Sequence, residues 1–553
     1  MIRKLALAAC ATLAACATAA PAPETVLPRA DGSAAYADFL VGRVANLNSD
    51  YASAAERYQA ALARTPNDQD LLDGAVSSAL AAGDADRARQ IARMAPAHST
   101  SAYAQTVRAA DAMKADRWRE AVSDLTGVRG GGAVEFTAAM MAIWANAGLG
   151  RYDAINNDLR PLLTVPPYNA LLYGQQAMAY DLAGRNAEAL PMYASAAVGS
   201  VWLPSVVVRR ADLLDRTGAH DEARALLEDA GNPEIAAAAQ RLRDNQHPAA
   251  TPLTPARAAA VGLYGVATIY LQQSDSANGL AALTLALMLD PDFDAARIAQ
   301  ASQQARLGQS QLAVQTLHAI APTSIYASGA RVMEAWTLVD DHRGDDAVTL
   351  AQQAAASGDI RAQRALGDIY RALDRYDDAD RVYSQLIAAH PDDWRLYFAR
   401  GAVRAQLHRV EEGEADMQHA LTLSPEQPDV LNYLAYSWVD RGAHTQEALA
   451  MIQRAVALRP NSAAIADSLG WAYYRMGDYA QAQDALEHAV ALQPGDATLN
   501  EHLGDVYWRT GRRTEARFQW SHALAQSPAD ADALREKIAH GLPALPATHS
   551  AHR

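Results

Sequence analysis

A chain of 553 residues exceeds the size at which one compact core stops growing, so it is several domains or one elongated array. Half of it is apolar but only 7% is aromatic, and alanine pervades every segment, which suits close helix packing better than a sheet of β-branched residues. The net charge of −15, with lysine confined to Lys4, Lys114 and Lys537, excludes a clustered basic face for nucleic acid. Only Cys10 and Cys16 are present, which excludes a disulfide framework or thiolate metal site in the body of the chain.

Residues 1–15 carry Arg3 and Lys4, an apolar run from Leu5 and a small-residue exit, the order of an export signal. Leu13-Ala14-Ala15-Cys16 resembles the bacterial lipoprotein box, in which the cysteine is acylated and becomes the new N-terminus. The same tetrapeptide ends at Cys10, but a cut there leaves an apolar core of only Leu5 to Ala9, so Cys16 is the expected lipidation site. Ala17 is not the aspartate that, in lipoproteins, implies retention in the inner membrane. The resemblance therefore implies the periplasmic face of the outer membrane. A cut near Ala20, releasing a soluble periplasmic protein, is the alternative. Residues 16–33, with Pro21, Pro23, Pro28 and Gly32, read as a flexible tether. No later run of about 18 apolar residues follows, so no transmembrane helix is expected.

The next elements are helical pairs. From Ala35, the residues Gly42, Ala54, Tyr58, Ala61 and Pro66 alternate small and large at helix-turn-helix spacing. From Ala170, the residues Ala177, Tyr180, Gly184, Ala189, Tyr193 and Ala196 repeat the pattern. Degenerate pairs around Trp118 and Trp144 fill the interval, making 34–245 an N-terminal array. Gly130-Gly131-Gly132 reads as a loop between pairs. The breaker-rich run 246–255, with Pro248, Pro252 and Pro255, is expected to be a linker between two halves or an elbow within one array.

A second array spans 256–529. Tyr270, Leu283 and Ala286 precede Pro291, a degenerate pair surrounds Trp336, and Leu366, Gly367, Tyr370, Ala379 and Tyr383 precede Pro391. From there Pro391, Pro425, Pro460, Pro494 and Pro528 are spaced by 34, 35, 34 and 34 residues, the odd spacing arising from one extra residue in the turn Gly442 to Gln446. Leu469, Gly470, Tyr473, Ala482, Leu486, Ala489 and Pro494 recur one unit later as Leu503, Gly504, Tyr507, Ala516, Trp520, Ala523 and Pro528. Glycine permits close approach of two helices, the large residues fill the space between them, and proline ends the second. Residues 530–541 read as a capping helix closed by Gly541, and 542–553 as a disordered tail.

On these residues the chain resembles the tetratricopeptide repeat (TPR), a 34-residue helix-turn-helix unit. The pair DSLGWAYYRMGDY and NEHLGDVYWRTGRR is similar to long proteobacterial TPR lipoproteins. The implied fold is all-α, a right-handed superhelical solenoid of about a dozen or more pairs, in one array or two halves. The resemblance further implies that the second, fifth, ninth, twelfth and thirteenth positions of each unit line a concave groove. In the C-terminal array these are Asn432, Tyr436 and Asp440, then Asp467, Trp471, Tyr474 and Arg475, then Glu501, Asp505, Trp508 and Arg509.

This aromatic strip, flanked by acids and arginines, suits an extended peptide or a helix. Alternatively, Trp471, Tyr474 and Trp508 simply pack between neighbouring first helices. Trp438 and Trp520 fall at core positions. The TPR carboxylate clamp is not reproduced, because Asp467, Glu501 and Asp505 stand where cations or amides are needed; a basic or mixed-charge segment is the better ligand. Arg361, Arg364 and Arg371 form a local basic patch or a solvated face.

No H-E-x-x-H, G-x-S-x-G, P-loop or G-x-G-x-x-G after a strand is present, and no domain-sized stretch lies outside the repeats. His549 and His552 are too few for a metal site. The expectation is no enzyme, no cofactor and no metal. The expected function is a protein-protein interaction scaffold or adaptor of the bacterial cell envelope, with envelope proteins or peptides as partners and a membrane anchor at Cys16. The alternative is a glycan-binding or accessory subunit of a polysaccharide or cell-wall enzyme system, because aromatic strips also stack on sugar rings.

Overall fold

The structure, a computed structural model, describes residues 31–95, 99–128, 132–159, 168–197, 203–228, 231–246, 252–526 and 528–543. The signal, Cys16, residues 17–30, Gly130, Gly131, Pro248 and the tail from 544 lie outside the described residues. Among the described residues there are 30 α-helices and no strand. They form two compact units, one up to Ala330 and one from Arg331.

The first unit holds α1 (Asp31–Leu47), α2 (Tyr51–Leu62), α3 (Gln69–Ala81), α4 (Ala85–Met94), α5 (Ala102–Lys114), α6 (Trp118–Leu125), α7 (Gly132–Gly148), α8 (Tyr152–Leu159), α9 (Tyr168–Leu182), α10 (Asn186–Ala196), α11 (Pro204–Arg216), α12 (His220–Leu226), α13 (Pro233–Arg243), α14 (Pro255–Gln272), α15 (Ser276–Leu289), α16 (Asp294–Arg306) and α17 (Ser310–His318). Successive helices pair as hairpins from α1/α2 to α11/α12, then α14/α15 and α16/α17. Aspartate caps explain many of the starts: Asp50, Asp68, Asp84 and Asp275 each accept a backbone N–H from the turn they open. The first helix among the described residues, α1, leaves Tyr36, Leu40, Val41, Val44 and Leu47 exposed opposite the face that meets α2.

The breaker-rich run 246–255 does not separate the two units; α14 to α17 belong to the first. The reason is burial. The helix α15 reads SANGLAALTLALML, and ten of its 14 residues are buried, so it has no polar side to offer water. It packs on α3 and α5, while α14 packs on α7 and α9. These four are the first helices of consecutive pairs, so the α14/α15 hairpin fills the wall that a TPR array ordinarily presents to a ligand. Gly262 lets α14 approach: a Cβ there would stand 2.7 Å from Gln175 Oε1 and 2.9 Å from Met140 sulfur. Thr284 Oγ1 donates to the Leu80 carbonyl at 2.7 Å, and Lys114 Nζ donates to the Leu289 carbonyl at 3.2 Å.

The second unit contains most of α18 (Ala327–Asp340), then α19 (Gly344–Ala355), α20 (Ile360–Ala372), α21 (Tyr376–Ala389), α22 (Trp394–Gln406), α23 (Val410–Leu423), α24 (Pro428–Asp440), α25 (Thr445–Leu458), α26 (Ala463–Met476), α27 (Tyr479–Leu492), α28 (Ala497–Arg509), α29 (Arg513–Ala525) and α30 (Ala531–His540). The periodic prolines sit just past the second helices. Before them His390, Ser424, Arg459 and Gln493 are held out of the helical backbone region, which ends each helix. Two residues after three of these prolines stands a cap: Asp393, Ser462 and Asp496 accept N–H groups at the start of α22, α26 and α28. A single tripeptide therefore closes one helix and opens the next, each cap contributing about 0.5–2 kcal/mol.

Within a pair, Gly504 meets the flat side of Trp520; a Cβ would lie 2.5 Å from its Cδ1. Trp438 and Trp520 are buried in the core. Asp416, also buried, accepts from Arg400 at 2.7 and 2.9 Å and from Arg404 at 2.9 Å, tying α22 to α23.

Candidate binding groove

The first helices of the second unit, α20, α22, α24, α26 and α28, follow one another along it, and the last of them, α28, is met by α30 and residues 541–543. Upstream, Arg361 and Arg371 are exposed on α20 and lie by Asp359 (3.3 Å) and Asp368 (3.8 Å), while Arg364 is half-buried.

The eleven residues expected in the groove lie on α24, α26 and α28, and most are tied to the neighbouring first helix. Arg475 Nη1 donates to Asp440 Oδ1 at 3.0 Å, and its Nη2 to the Asp440 carbonyl at 2.9 Å, joining α26 to α24. One repeat on, Arg509 Nε donates to the Tyr474 hydroxyl at 3.2 Å, and its Nη1 to the Pro543 carbonyl at 2.7 Å. Burial pushes the phenols of Tyr436 and Tyr474 above the usual tyrosine value; the carboxylates of Asp440 and Asp467 add to this at Tyr436, and Arg509 opposes it at Tyr474. Asn432 Oδ1 and Trp471 Nε1 are shielded from solvent and make no hydrogen bond, a cluster of local conflict on two adjacent first helices.

Trp471 is stacked on Tyr474, at 4.9 Å between ring centroids and 14° between planes, and on His502, at 4.2 Å and 19°. His502 Nδ1 lies 2.8 Å from Asp467 Oδ1. Burial works against its charge, but the bond to Asp467 and the nearby Asp505 and Glu501 outweigh it and raise its pKa. At the far end, Lys537 of α30 donates to Glu501 Oε1 at 2.7 Å and to both oxygens of Asp505 at 2.8 Å. Asp505 also accepts from Trp520 Nε1 at 2.9 Å. Burial raises the Asp505 carboxyl, against the pull of Lys537, Trp520 and His502. Trp508 packs beside Trp520 at 5.5 Å, with Arg513 and Arg517 over its ring.

Sequence reading missed His502 and Lys537. A signal existed for the second: Lys537 is one of only three lysines, and it falls 537 − 503 = 34 residues after Leu503, hence on the same face of an extra unit.

Family models described as tetratricopeptide repeat match residues 366–432 and 468–536. The TPR repeat-containing protein PA4667 of Pseudomonas aeruginosa is 29% identical over 115 residues, 20% of this chain and 20% of that protein, so the chain spans about a fifth of the curated relative it matches. Among solved structures, the Cut9–Hcn1 hetero-tetramer of the APC/C is similar at TM-score 0.39 and 17% identity over 93% of this chain and 97% of that one. A tetratricopeptide repeat protein from Parabacteroides merdae is similar at TM-score 0.37 and 16% identity over 44% and 96%. MamA is similar at TM-score 0.26 and 24% identity over 29% and 93%. With its 34-residue register, its glycine-to-aromatic contacts within pairs and these matches, the chain carries tetratricopeptide repeats over 366–432 and 468–536.

Proposed function

We propose that the chain is a non-catalytic scaffold of the bacterial cell envelope, anchored through an acyl group on Cys16 to the periplasmic face of the outer membrane, and that it holds partner segments in the groove of α20 to α28. One observation carries the binding mode. In the first unit the wall of first helices clasps a helical hairpin of the same chain, so this kind of wall packs a helical segment well. In the second unit the first helices carry half-buried aromatic side chains and charged ones that range from buried Asp467 and Asp505 to exposed Asp440 and Arg475, fixed by one another, a preorganised surface. Its mixed signs favour a partner segment of mixed charge. The stacking of Trp471 on Tyr474 and His502 engages its ring and counts against a platform for sugars.

The test is affinity capture of the C-terminally tagged chain from detergent-solubilised membranes, with Arg475→Ala/Arg509→Ala as the control. A defined set of envelope proteins lost in the double variant supports the groove; recovery of the chain alone overturns the scaffold. Labelling with radioactive palmitate, lost in Cys16→Ser, tests the anchor separately.

A further inference from the structure

The α14/α15 hairpin does not fill the first unit's wall to its end. Where α11 and α13 continue the row, a cleft of about 370 Å³ opens between them, α14, the turn 290–294 and residues 324–326. That is within the range of small-ligand sites. Its floor is apolar, with Met178, Val208, Val261 and Phe293. Its charged lining comprises Arg209 of α11, Glu234 and Arg241 of α13, Arg257 of α14, and Asp290, Asp292 and Asp294 at 290–294.

Most of these charges have partners. Asp290 lies 3.6 Å from Arg257, and Asp294 takes the Ser324 hydroxyl at 2.6 Å and lies 3.7 Å from Arg297. Glu234 accepts from Ser205 at 3.0 Å and Tyr326 at 3.4 Å, both on Oε2, and burial pushes its carboxyl up, so it is a weak counter-ion for the nearby Arg241. Three groups remain. Arg241 is half-buried, its Nε is shielded without a hydrogen bond, and no carboxylate of the described residues lies in ion-pair range. Arg209 has only Asp212 at 4.0 Å, and Asp212 is already bound by Arg216 at 2.9 Å. Asp292 is exposed and has no cation of the described residues within ion-pair range.

A guanidinium withdrawn from water without a counter-ion is unfavourable, and a ligand that supplies the anion removes that penalty. A plain anion would meet the aspartate turn, and a plain cation the two arginines; a ligand carrying both charges satisfies each wall. We propose that this cleft binds a short zwitterionic peptide, its carboxylate held by Arg209 and Arg241 and its ammonium by Asp292, with an apolar side chain over Met178, Val208 and Phe293. Guanidinium groups suit a carboxylate because they bind it through paired, charge-assisted hydrogen bonds. The site is independent of the groove in the second unit.

The test is calorimetric titration of the full chain with the dipeptide Ala-Leu, with N-acetyl-Ala-Leu (no ammonium) and with Ala-Leu amide (no carboxylate). Saturable heat is expected with Ala-Leu, at least about tenfold weaker binding with each blocked peptide, and the same loss in Arg241→Gln and Asp292→Asn, about 1.4 kcal/mol. Asp292 is exposed, so its variant keeps the test open should Arg241→Gln fail to fold, which a thermal melt by circular dichroism reports. No saturable heat with Ala-Leu overturns the proposal. So does equal binding of either blocked peptide, which makes the cleft a site for a single charge, or unchanged binding in the folded variants, which places the heat elsewhere.

Discussion

Replacing Lys537 with alanine removes the ammonium that closes the acidic end of the groove. Asp505 is buried and receives two of its three bonds, so the variant leaves a withdrawn carboxylate with only the Trp520 indole as donor. Breaking a buried pair this way costs about 3–5 kcal/mol. The side chains of Lys537 and Glu501 are 20% and 30% exposed, so water compensates in part. A loss of about 2–3 kcal/mol is expected, or about 30- to 150-fold in the opening equilibrium. Because each repeat contacts only its neighbours, the loss should be local. Hydrogen exchange read by mass spectrometry should show faster exchange in peptides of α28 to α30 and none upstream of Pro460. The pH dependence supplies a second check. The folded Asp505 carboxyl already titrates above its ordinary range, so the folded end holds a proton that the unfolded end releases, and stability falls as pH rises through the raised value. Without Lys537 that value moves higher, so the variant's deficit should be smaller at pH 5 than at pH 8. An equal deficit at both, or unchanged exchange in α28 to α30, would refute the reasoning.

Four further outcomes follow from the packing. Gly504→Ala places a Cβ 2.5 Å from Trp520 and should cost about 1–3 kcal/mol, seen as a lower urea midpoint with red-shifted tryptophan emission. Asp416→Ala leaves Arg400 with no carboxylate of the described residues, while Arg404 keeps Asp380 at 2.9 Å, so the cost should fall toward the low end of about 3–5 kcal/mol, and Asp416→Asn, which keeps acceptors, should cost less. His502, whose pKa is raised in the fold, contributes stability that is fully present below its unfolded value of about 6.5 and is lost as pH rises through the folded value; its NMR titration should lie above 6.5, and His502→Asn should flatten that part of the pH profile. Gly265→Leu collides with Leu171, whose Cδ1 would stand 2.4 Å from the new Cβ, and should loosen the α14/α15 hairpin, raising binding of a hydrophobic dye.

The repeat was legible because its determinants are local. Proline, the residue two beyond it, and the glycine facing an aromatic 16 residues on, as in Gly504 and Trp520, all act within one unit, so the period alone places them. The groove positions on α24, α26 and α28 followed from the same register. Their partners did not: His502 meets Asp467 across 35 residues, and Lys537 meets Glu501 across 36, so each bond depends on how two units stack. The hairpin is the clearest omission. The all-round apolarity of α15 was visible in its letters, but what covers it is not nearby in sequence; Thr284 reaches Leu80 across 204 residues. Breaker residues such as those at 246–255 carry no information about where an apolar segment beyond them will be buried.

That omission bears on how the chain divides its work. A helix as apolar as α15 cannot be left on a surface, and the first helices α3 to α9 cannot both enclose it and receive an outside partner. The wall of α3 to α9 is thus committed to folding, and substitutions there should act on stability before they act on binding. The row α20 to α28 has the opposite character. Leu486 and Trp520, on the second helices behind it, are buried within pairs, and along its lining Arg475 meets Asp440 and Arg509 meets Tyr474. A partner segment in the groove proposed above would need no part of the core to open, so substitutions at Arg475 and Arg509 should act on binding before they act on stability.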